Sequence, residues 1–394
     1  MTDTPLPFTP AGRIDEVRPF HVMELLRRAR ALEAAGHDIV HMEIGEPDFT
    51  TAEPVVEAGR RALAEGHTGY LPAAGLTPLR EAIARHYAEE YGADVAPERI
   101  FITPGASGAL TLAMALIADP GRTVLLPEPG YPCNRNFAAV VNALPRPVPV
   151  TAATDYQLTA ALAADHVDAD TAGILIGSPS NPTGTMADGP ALEALAALAD
   201  ARGIALMVDE IYHGLHYTPA AASAVVHAPR ALVINSFSKY FGMTGWRLGW
   251  LVVPEGLEAA TEKLIQNLYI NASTPAQYAA LACFSPAARE IFEARREAFR
   301  ERRDFLLPAL RELGLAIPGE PAGAFYLYAD VSAVAPDSEA LAQALLEEAG
   351  VAATPGLDFE SAHPGRHMRF AYTTGLERLA EGVERIRRYL AAGG

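Results

Sequence analysis

The chain has 394 residues, half of them apolar, and its 31 basic and 48 acidic residues give a net charge of −17 at pH 7. This length allows two domains or one large α/β domain with an appendage, and the acidic balance argues against nucleic acid or an anionic membrane as a partner. Two cysteines make no disulfide framework, the N-terminus carries no secretory signal, and no apolar run reaches the ~18–20 residues of a membrane span, so we expect a cytoplasmic protein.

The first part of the chain alternates helices and strands. Hydrophobic periodicity predicts an amphipathic helix over 22–35 and then a strand that breaks at Gly45. Thr77 is predicted to be the N-cap of another helix, because a proline follows it. The alternation continues to about residue 285 and is typical of a mostly parallel sheet covered by helices. We therefore predict an α/β fold with a large domain over 46–285.

The pattern changes beyond this predicted large domain. A long helix is predicted over 288–313, and because its arginines alternate with acidic residues we expect them to form a solvated face. A short strand, a helix over 338–349 and a closing amphipathic helix follow. These elements predict a small α+β domain that consists of 286–394 and is completed by 1–45.

Polar and aromatic side chains recur just past the predicted strand ends. They are Ser107, Tyr131, Asn181, Asp209, Ser236 and Lys239. Ligands of open α/β sheets bind at the carboxyl ends of the strands. The positions of these residues therefore predict one shared site.

Lys239 lies between two apolar strands, with no charged residue near it along the chain. A lysine in a loop is by itself more often a surface residue. Here the apolar surroundings would desolvate the ammonium, lower its pKa and free the amine as a nucleophile. Ser236, Ser238 and Arg247 add hydroxyl donors and a second cation, which suit a phosphate.

This stretch, Ser-x-Ser-Lys-x-x-x-Met-Thr-Gly-Trp-Arg-x-Gly at 236–249, resembles the Schiff-base signature of the class-I, fold-type-I pyridoxal 5'-phosphate (PLP) aminotransferases, the aspartate aminotransferase-like family. The resemblance covers about residues 13–389. It implies PLP as cofactor, with Lys239 as its Schiff-base lysine and with Ser236, Ser238 and Arg247 at its phosphate.

A glycine turn opens a predicted apolar helix at 105–107, where the free N–H groups and the helix dipole favour an anion. The resemblance places Gly105, Ala106 and Ser107 at the cofactor phosphate. It also implies that Tyr70 reaches the phosphate of a neighbouring subunit in a homodimer. No Gly-x-Gly-x-x-Gly or P-loop motif supports a nucleotide at this turn.

The remaining cofactor contacts are also implied by the resemblance. Tyr131 would stack on the pyridine ring, while Asn181 and Tyr212 would bond its O3' oxygen. Asp209 ends an apolar run, where a carboxylate is costly unless it is paired, and the family supplies a pyridinium N–H as its partner. A helix N-cap is the alternative for Asp209.

Arg369 stands between Met368 and Phe370 in a predicted strand, whose alternation turns it away from both neighbours. An inward arginine needs an anionic partner, and in the family this arginine grips the substrate α-carboxylate. The resemblance also places Asn181 and the Gly45 backbone at the substrate. No arginine occurs in 266–274, where aspartate-specific relatives can carry one, so either the substrate side chain is neutral or another cation binds it.

The resemblance implies a ping-pong aminotransferase that exchanges an amino group between an L-amino acid and a 2-oxo acid, with 2-oxoglutarate and glutamate as one pair. No metal is expected. The fold also hosts C–S β-lyases and PLP-dependent oxidases, which remain alternatives. A PLP-binding transcription factor would carry an additional winged-helix module. The short segment before the fold and the acidic charge argue against it.

Overall fold

The computed structural model describes residues 8–217 and 221–393. Among them, no helix is long and apolar enough to cross a bilayer. The strands are β1 (Val40–His41), β2 (Ile100–Thr103), β3 (Thr123–Glu128), β4 (Leu144–Pro149), β5 (Thr171–Gly177), β6 (Ala205–Asp209), β7 (Leu232–Ser236), β8 (Gly249–Val252), β9 (Tyr326–Asp330), β10 (Val351–Ala352), β11 (Thr354–Pro355) and β12 (His367–Ala371). The α-helices are α1 (Arg13–Glu16), α2 (His21–Ala34), α3 (Glu53–Ala64), α4 (Thr77–Tyr91), α5 (Gly105–Ile117), α6 (Cys133–Val140), α7 (Ala160–Ala164), α8 (Gly189–Arg202), α9 (Ala224–His227), α10 (Glu258–Leu268), α11 (Thr274–Ala280), α12 (Pro286–Glu312), α13 (Ser338–Ala344) and α14 (Leu376–Ala391).

A seven-stranded sheet forms the centre of the molecule, in the order β2-β8-β7-β6-β5-β3-β4. Strand β8 runs antiparallel to both of its neighbours, and the other pairs are parallel. Both faces are covered, because two consecutive residues of β5 belong to different apolar cores. Ile174 belongs to the core that includes residues of α4 and α8, and Leu175 belongs to the core that includes residues of α5 and α10. Helices on both faces explain why these strands are apolar throughout. The predicted mostly parallel α/β fold is confirmed.

A second core lies under a three-stranded antiparallel sheet of order β11-β12-β9, next to the parallel pair β1 and β10. Helix α14 contributes Leu379, Val383 and Ile386 to this core. Helix α12 contributes to both cores, because Phe292 packs in the first and Phe299 in the second. Strand β1 pairs with β10, so the N-terminal segment and the C-terminal part of the chain pack together.

Some element boundaries differ from the predicted ones. Thr77 is the first residue of α4, and Leu76 is its N-cap. The predicted 338–349 helix is α-helical only to Ala344, after which a π-helical turn ends it. Short 3-10 turns complete the elements at Pro97–Arg99, Ala152–Thr154, Thr244–Trp246, Leu281–Phe284 and Gly356–Asp358.

The prediction that the arginines of 288–313 form a solvated face is wrong for Arg302. Its guanidinium is buried and donates to both carboxylate oxygens of Asp48, at 2.8 and 2.9 Å. It also lies over the rings of Phe49 and Phe299, at 5.0 and 5.2 Å from their centroids. The acidic partner comes from a loop far away in sequence, which the charge pattern of the helix does not reveal.

Candidate active site

A cavity of about 470 Å³ opens where the carboxyl ends of the central strands face the β9–β12 sheet. Most of the predicted site residues line it. They are Gly45, Ala106, Ser107, Tyr131, Asn181, Asp209, Tyr212, Ser238, Lys239, Arg247 and Arg369. The chain direction in the parallel sheet brings together side chains from separate strand ends, as expected for a doubly covered α/β sheet.

Lys239 projects into this cavity from the segment that follows β7. Its side chain is half-buried, and Nζ donates a hydrogen bond of 2.6 Å to the Gly45 carbonyl oxygen. Burial lowers the pKa of Lys239 to about 8. At neutral pH roughly a tenth of such an amine is uncharged, compared with well under about 0.1% of an ordinary lysine. Lys239 therefore has the properties of an amine nucleophile.

Asp209 occupies the last position of β6, between β5 and β7. Burial raises the pKa of its carboxyl to about 7, although the backbone N–H of Ile211 donates to it at 3.1 Å. A turn follows it instead of a helix, so the N-cap alternative is wrong. A buried carboxyl of this kind favours a cationic or donating partner from a ligand.

Helix α5 begins at Gly105, whose φ of 71° is in the left-handed region that favours glycine. A Cβ atom at this position would lie 2.7 Å from Arg247 Nη2, so the guanidinium lies directly against the glycine. The first N–H groups of α5, including those of Ala106 and Ser107, are available to an anion. Arg247 and this helix end therefore form a cradle of positive potential.

The two serines of the lysine motif occupy different positions. Ser238 lines the cavity, whereas Ser236 lies behind it and donates a hydrogen bond of 2.9 Å to the Ser238 hydroxyl. The backbone N–H of Ser236 also donates a hydrogen bond to Oδ1 of the preceding residue, Asn235, at the end of β7. Ser236 thus orients Ser238 and has no surface of its own in the cavity.

Arg369, in β12, is buried between two aromatic rings. Its guanidinium carbon lies 4.4 Å from the Tyr326 ring centroid and 4.8 Å from that of Phe359. Nη1 donates to Asn181 Oδ1 at 2.9 Å and Nη2 to the Glu43 carbonyl at 2.5 Å. Nε is buried and has no hydrogen-bond partner among the described residues, so one donor of the guanidinium remains for a ligand.

Tyr70 does not lie in the cavity. Its side chain is 82% exposed, on a loop held by hydrogen bonds from Leu71 N to Asn271 Oδ1 at 3.3 Å and from Thr274 Oγ1 to the Gly69 carbonyl at 2.7 Å. The loop is thus well anchored, and it presents Tyr70 to the outside of the chain.

Several lining residues were not predicted from the sequence. Tyr326 contacts Gly45, Tyr212 and Arg369, and Thr244 donates to Glu46 at 2.6 Å at the cavity edge. The start of helix α2 forms an apolar wall, which consists of Phe20, Val22, Met23 and Leu26. Hydrophobic periodicity predicted an amphipathic helix over 22–35, but nothing in this pattern indicated a ligand site.

These features fit PLP. Four groups converge on one cavity. They are a nucleophilic amine, a buried carboxyl that lacks a cationic hydrogen-bond partner among the described residues, a helix N-terminus with an arginine beside it, and a guanidinium with a free donor. They correspond to the aldehyde, the ring nitrogen and the phosphate of the cofactor and to the carboxylate of an amino acid.

Comparison with known proteins agrees with the geometry. Residues 37–386 match the model of the family described as "Aminotransferase class I and II". A valine–pyruvate aminotransferase of Mycobacterium tuberculosis is 37% identical over 95% of this chain and 97% of its own, and an aspartate/prephenate aminotransferase of Thermus thermophilus is 38% identical over 96% and 98%. A crystal structure of an aminotransferase from Mycobacterium tuberculosis superposes with a TM-score of 0.94 at 36% identity, covering 98% of this chain and 100% of the other.

The family model covers far more than half of the chain, and the relatives extend along nearly all of it, including the lysine segment and Arg369. The transaminases of this family use PLP, and the fold observed for this chain is the fold of its structural neighbours. The chain therefore belongs to the class I and II aminotransferase family and is a fold-type-I, PLP-dependent transaminase.

Proposed function

We propose that this chain transfers an amino group between an L-amino acid and a 2-oxo acid by a ping-pong mechanism, with 2-oxoglutarate and glutamate as one pair. The observation that carries the proposal is the presence of two groups in one cavity: the amine of Lys239, whose pKa is lowered to about 8, and the guanidinium of Arg369 with an unpartnered Nε. The first suits a nucleophile and proton carrier, and the second suits an α-carboxylate.

In this proposal the cofactor is held at its two ends. The N–H groups of Gly105, Ala106 and Ser107, the hydroxyl of Ser238 and the guanidinium of Arg247 hold the phosphate, and Ser236 orients Ser238. Asp209 would hold the ring nitrogen, Tyr131 would contact the ring, and Asn181 and Tyr212 would bond the ring hydroxyl. When bound, PLP supplies an aldehyde for the amino group and a ring that withdraws electrons.

The chain's own groups then position the amino acid and move its proton. Arg369 is held by Asn181 and by the Glu43 carbonyl, so its guanidinium is fixed before the carboxylate arrives. Lys239 Nζ, located at the Gly45 carbonyl, takes up the α-proton and later returns it. The Gly45 backbone, whose carbonyl accepts from Lys239, limits where the substrate can lie.

We further propose that the amino acid that exchanges its amino group with the glutamate pair has a neutral side chain. Among the described residues that line the cavity, the lysine and arginine side chains are Lys239, Arg247 and Arg369, and each already has a role above. The wall of helix α2 that faces them is apolar. The short side chain of aspartate would press its carboxylate against this wall, where it would lose its hydration without gaining a partner. The longer glutamate would have to keep its side-chain carboxylate hydrated at the cavity opening.

We also propose that the protein is a cytoplasmic homodimer. The exposed position of Tyr70 suits a contact with the phosphate bound by the other subunit. Leu268 and Ile270, next to the residues that anchor its loop, are also exposed. Ile270 has a φ of 66°, an unfavourable conformation for a β-branched residue. Apolar exposure and backbone strain on the same face suit a contact between two copies of the chain.

The half-reaction tests the proposed mechanism. Holoenzyme mixed with an amino acid alone should release one 2-oxo acid per active site and then stop until a 2-oxo acid is added. Continuous release of ammonia from the amino acid alone would contradict the proposal and favour a lyase or an oxidase.

A panel of amino donors tests the proposed substrates, with 2-oxoglutarate and pyruvate as acceptors. We expect kcat/KM for leucine or valine to exceed that for aspartate by at least about tenfold, since an unpaired side-chain carboxylate costs more than about 1.4 kcal/mol. A preference for aspartate would contradict the neutral side chain, and exclusive use of pyruvate would contradict the 2-oxoglutarate pair.

A further inference from the structure

Tyr326, in strand β9, has no part in the roles proposed above, yet its phenol contacts three of the residues that do. Its hydroxyl lies 3.0 Å from the Tyr212 hydroxyl. Its ring supports the Arg369 guanidinium at 4.4 Å, and its hydroxyl lies against the backbone of Gly45. The side chain is buried, and it lines the cavity.

The contact with Gly45 explains why a glycine occupies that position. The φ of Gly45 is not among the positive values, so its backbone does not require glycine. A Cβ atom there would overlap the Tyr326 hydroxyl oxygen and would lie 3.2 Å from Cζ of the same ring. The Tyr326 hydroxyl group therefore leaves no room for a side chain at position 45.

We propose that Tyr326 is a positioning residue that fixes Gly45, Tyr212 and Arg369 relative to one another. Its ring face holds Arg369 for the substrate carboxylate. Its hydroxyl orients the Tyr212 phenol and sets the position of the Gly45 backbone, whose carbonyl accepts from Lys239. The inference rests on the proposed roles of these residues and adds the side chain that holds them together.

The ring and the hydroxyl can be separated by mutation. Tyr326→Phe keeps the ring and should leave the dissociation constant of 2-methylalanine within about twofold. This probe has an amino group and a carboxylate but no α-proton, and its binding is read from the cofactor absorption. Tyr326→Leu removes the ring below Arg369 and should weaken binding by about 2- to 30-fold, the range of a cation–π contact. Equal binding by both variants would overturn the role of the ring.

The hydroxyl is tested by suppression. Gly45→Ala should lower kcat/KM and 2-methylalanine affinity by at least about tenfold, because the methyl group displaces Tyr326 or the Gly45 backbone. Adding Tyr326→Phe removes the overlapping oxygen and leaves the contact of 3.2 Å. The double variant should therefore bind and turn over better than Gly45→Ala alone. If the fold-loss of the double variant equals the product of the fold-losses of the two single variants, the proposal is overturned.

Matched controls exclude a general effect on stability. Gly375 has open space around its Cβ position, so the effect of Gly375→Ala should be the same with Tyr326 or Phe at position 326. Tyr328→Phe, on the same strand, removes a hydrogen bond to Glu360 outside the cavity and should not suppress Gly45→Ala. Suppression by Tyr328→Phe would overturn the proposal.

The same experiment separates this inference from the proposed function. Wild-type enzyme that turns over no amino acid would refute the proposed function. The coupling of positions 45 and 326 would then be read from the melting temperatures of the wild type, the two single variants Gly45→Ala and Tyr326→Phe, and the double variant. Wild-type enzyme that is active, with Gly45→Ala not rescued by Tyr326→Phe, would refute the inference alone.

Discussion

Burial favours the neutral forms of both Lys239 and Asp209, and it therefore shifts their pKa values in opposite directions. The pKa of the lysine is lowered to about 8 and that of the aspartic acid is raised to about 7. Each shift means that the charged form is unfavourable in the folded chain without a ligand. A bound pyridinium and a bond to the lysine amine would remove both costs, which is how a cofactor becomes part of the stability of its enzyme.

Because ionised Asp209 is unfavourable in the folded chain, we expect cofactor-free Asp209→Asn to be more stable than the cofactor-free wild type, by an amount that depends on pH. The folded pKa is raised from 3.8 to about 7, so the native state retains a proton that the unfolded state loses, and stability falls as pH rises through that interval. Above pH 7 the variant should be more stable than the wild type by at most about 4 kcal/mol. The gap should close as pH falls towards 4.

Denaturant unfolding of the two cofactor-free proteins at several pH values measures this gap. With PLP added the order should reverse, because the wild type gains a carboxylate–pyridinium pair that the variant lacks. A gap of constant size across the pH range would contradict the proposed burial cost of Asp209.

At the scale of the residue the sequence predicted Lys239 because a long motif carries it. It predicted Asp209 and Arg369 because each is a charged residue in an apolar strand, at a position where the family resemblance supplies a partner. It did not predict Tyr326, because neither its strand position nor its neighbours along the chain reveal that it meets Gly45 and Arg369 across the cavity. It also did not show that Ser236 lies behind Ser238, since one short hydrogen bond decides which hydroxyl faces the ligand.

At the scale of the element, helix α12 connects the two cores, and Arg302 ties it to the segment after Gly45. The guanidinium forms a bidentate ion pair with Asp48 and packs on Phe49. The side chain of Arg302 is 8% exposed and that of Asp48 is 34% exposed, whereas both side chains are about half exposed in the pair of Arg300 with Glu297 on the same helix. Buried bidentate pairs are costly to break, whereas exposed pairs add little.

Arg302→Met should therefore lower the free energy of unfolding by about 2–3 kcal/mol, because it leaves Asp48 without its partner. Arg300→Met is the matched control and should change stability much less. Urea unfolding of both variants measures the difference. Equal losses would contradict the structural role of Arg302.

The periodicity of the sequence located the helices well. It predicted a mostly parallel sheet but not the order of the strands in it. Charge alternation on 288–313 correctly describes most of the helix surface but cannot single out the arginine that meets an acid from a distant loop. The N-terminal wall at Phe20, Val22 and Met23 was missed for the same reason, because it depends on how α2 packs over the cavity.

At the scale of the whole molecule, we propose that the two cores correspond to a large domain at 46–285 and a small domain made of 1–45 and 286–394. The packing of Phe292 and Phe299 supports a boundary within or near the start of α12. Lys239 and Asp209 belong to the first part, and Arg369 and Tyr326 to the second. Their meeting in one cavity places the proposed reaction between the two.

The proposed dimer predicts that two inactive variants rescue each other. Lys239→Ala removes the amine, and Tyr70→Glu sets a carboxylate against the phosphate of the partner's site. In a mixed dimer one site carries both lesions, and the other keeps Lys239 from its own chain and Tyr70 from the other. Unfolding and refolding the two proteins together should restore activity, up to one working site per hybrid.

Mass measurement of the refolded mixture provides the control, since hybrids must be present for the result to count. Activity that stays at the level of the separate variants, in a mixture that contains hybrids, would contradict a shared site. Tyr70 would then serve only its own chain.

The most direct measurement concerns Lys239 itself. The chain contains two lysines, Lys239 in the cavity and Lys263 on the exposed face of α10, so each serves as the control for the other. Holoenzyme reduced with borohydride, digested and mapped by mass spectrometry should carry one cofactor label per chain on Lys239, also in Lys263→Arg. A label on Lys263, or PLP that remains bound but leaves Lys239 unlabelled, would contradict the account.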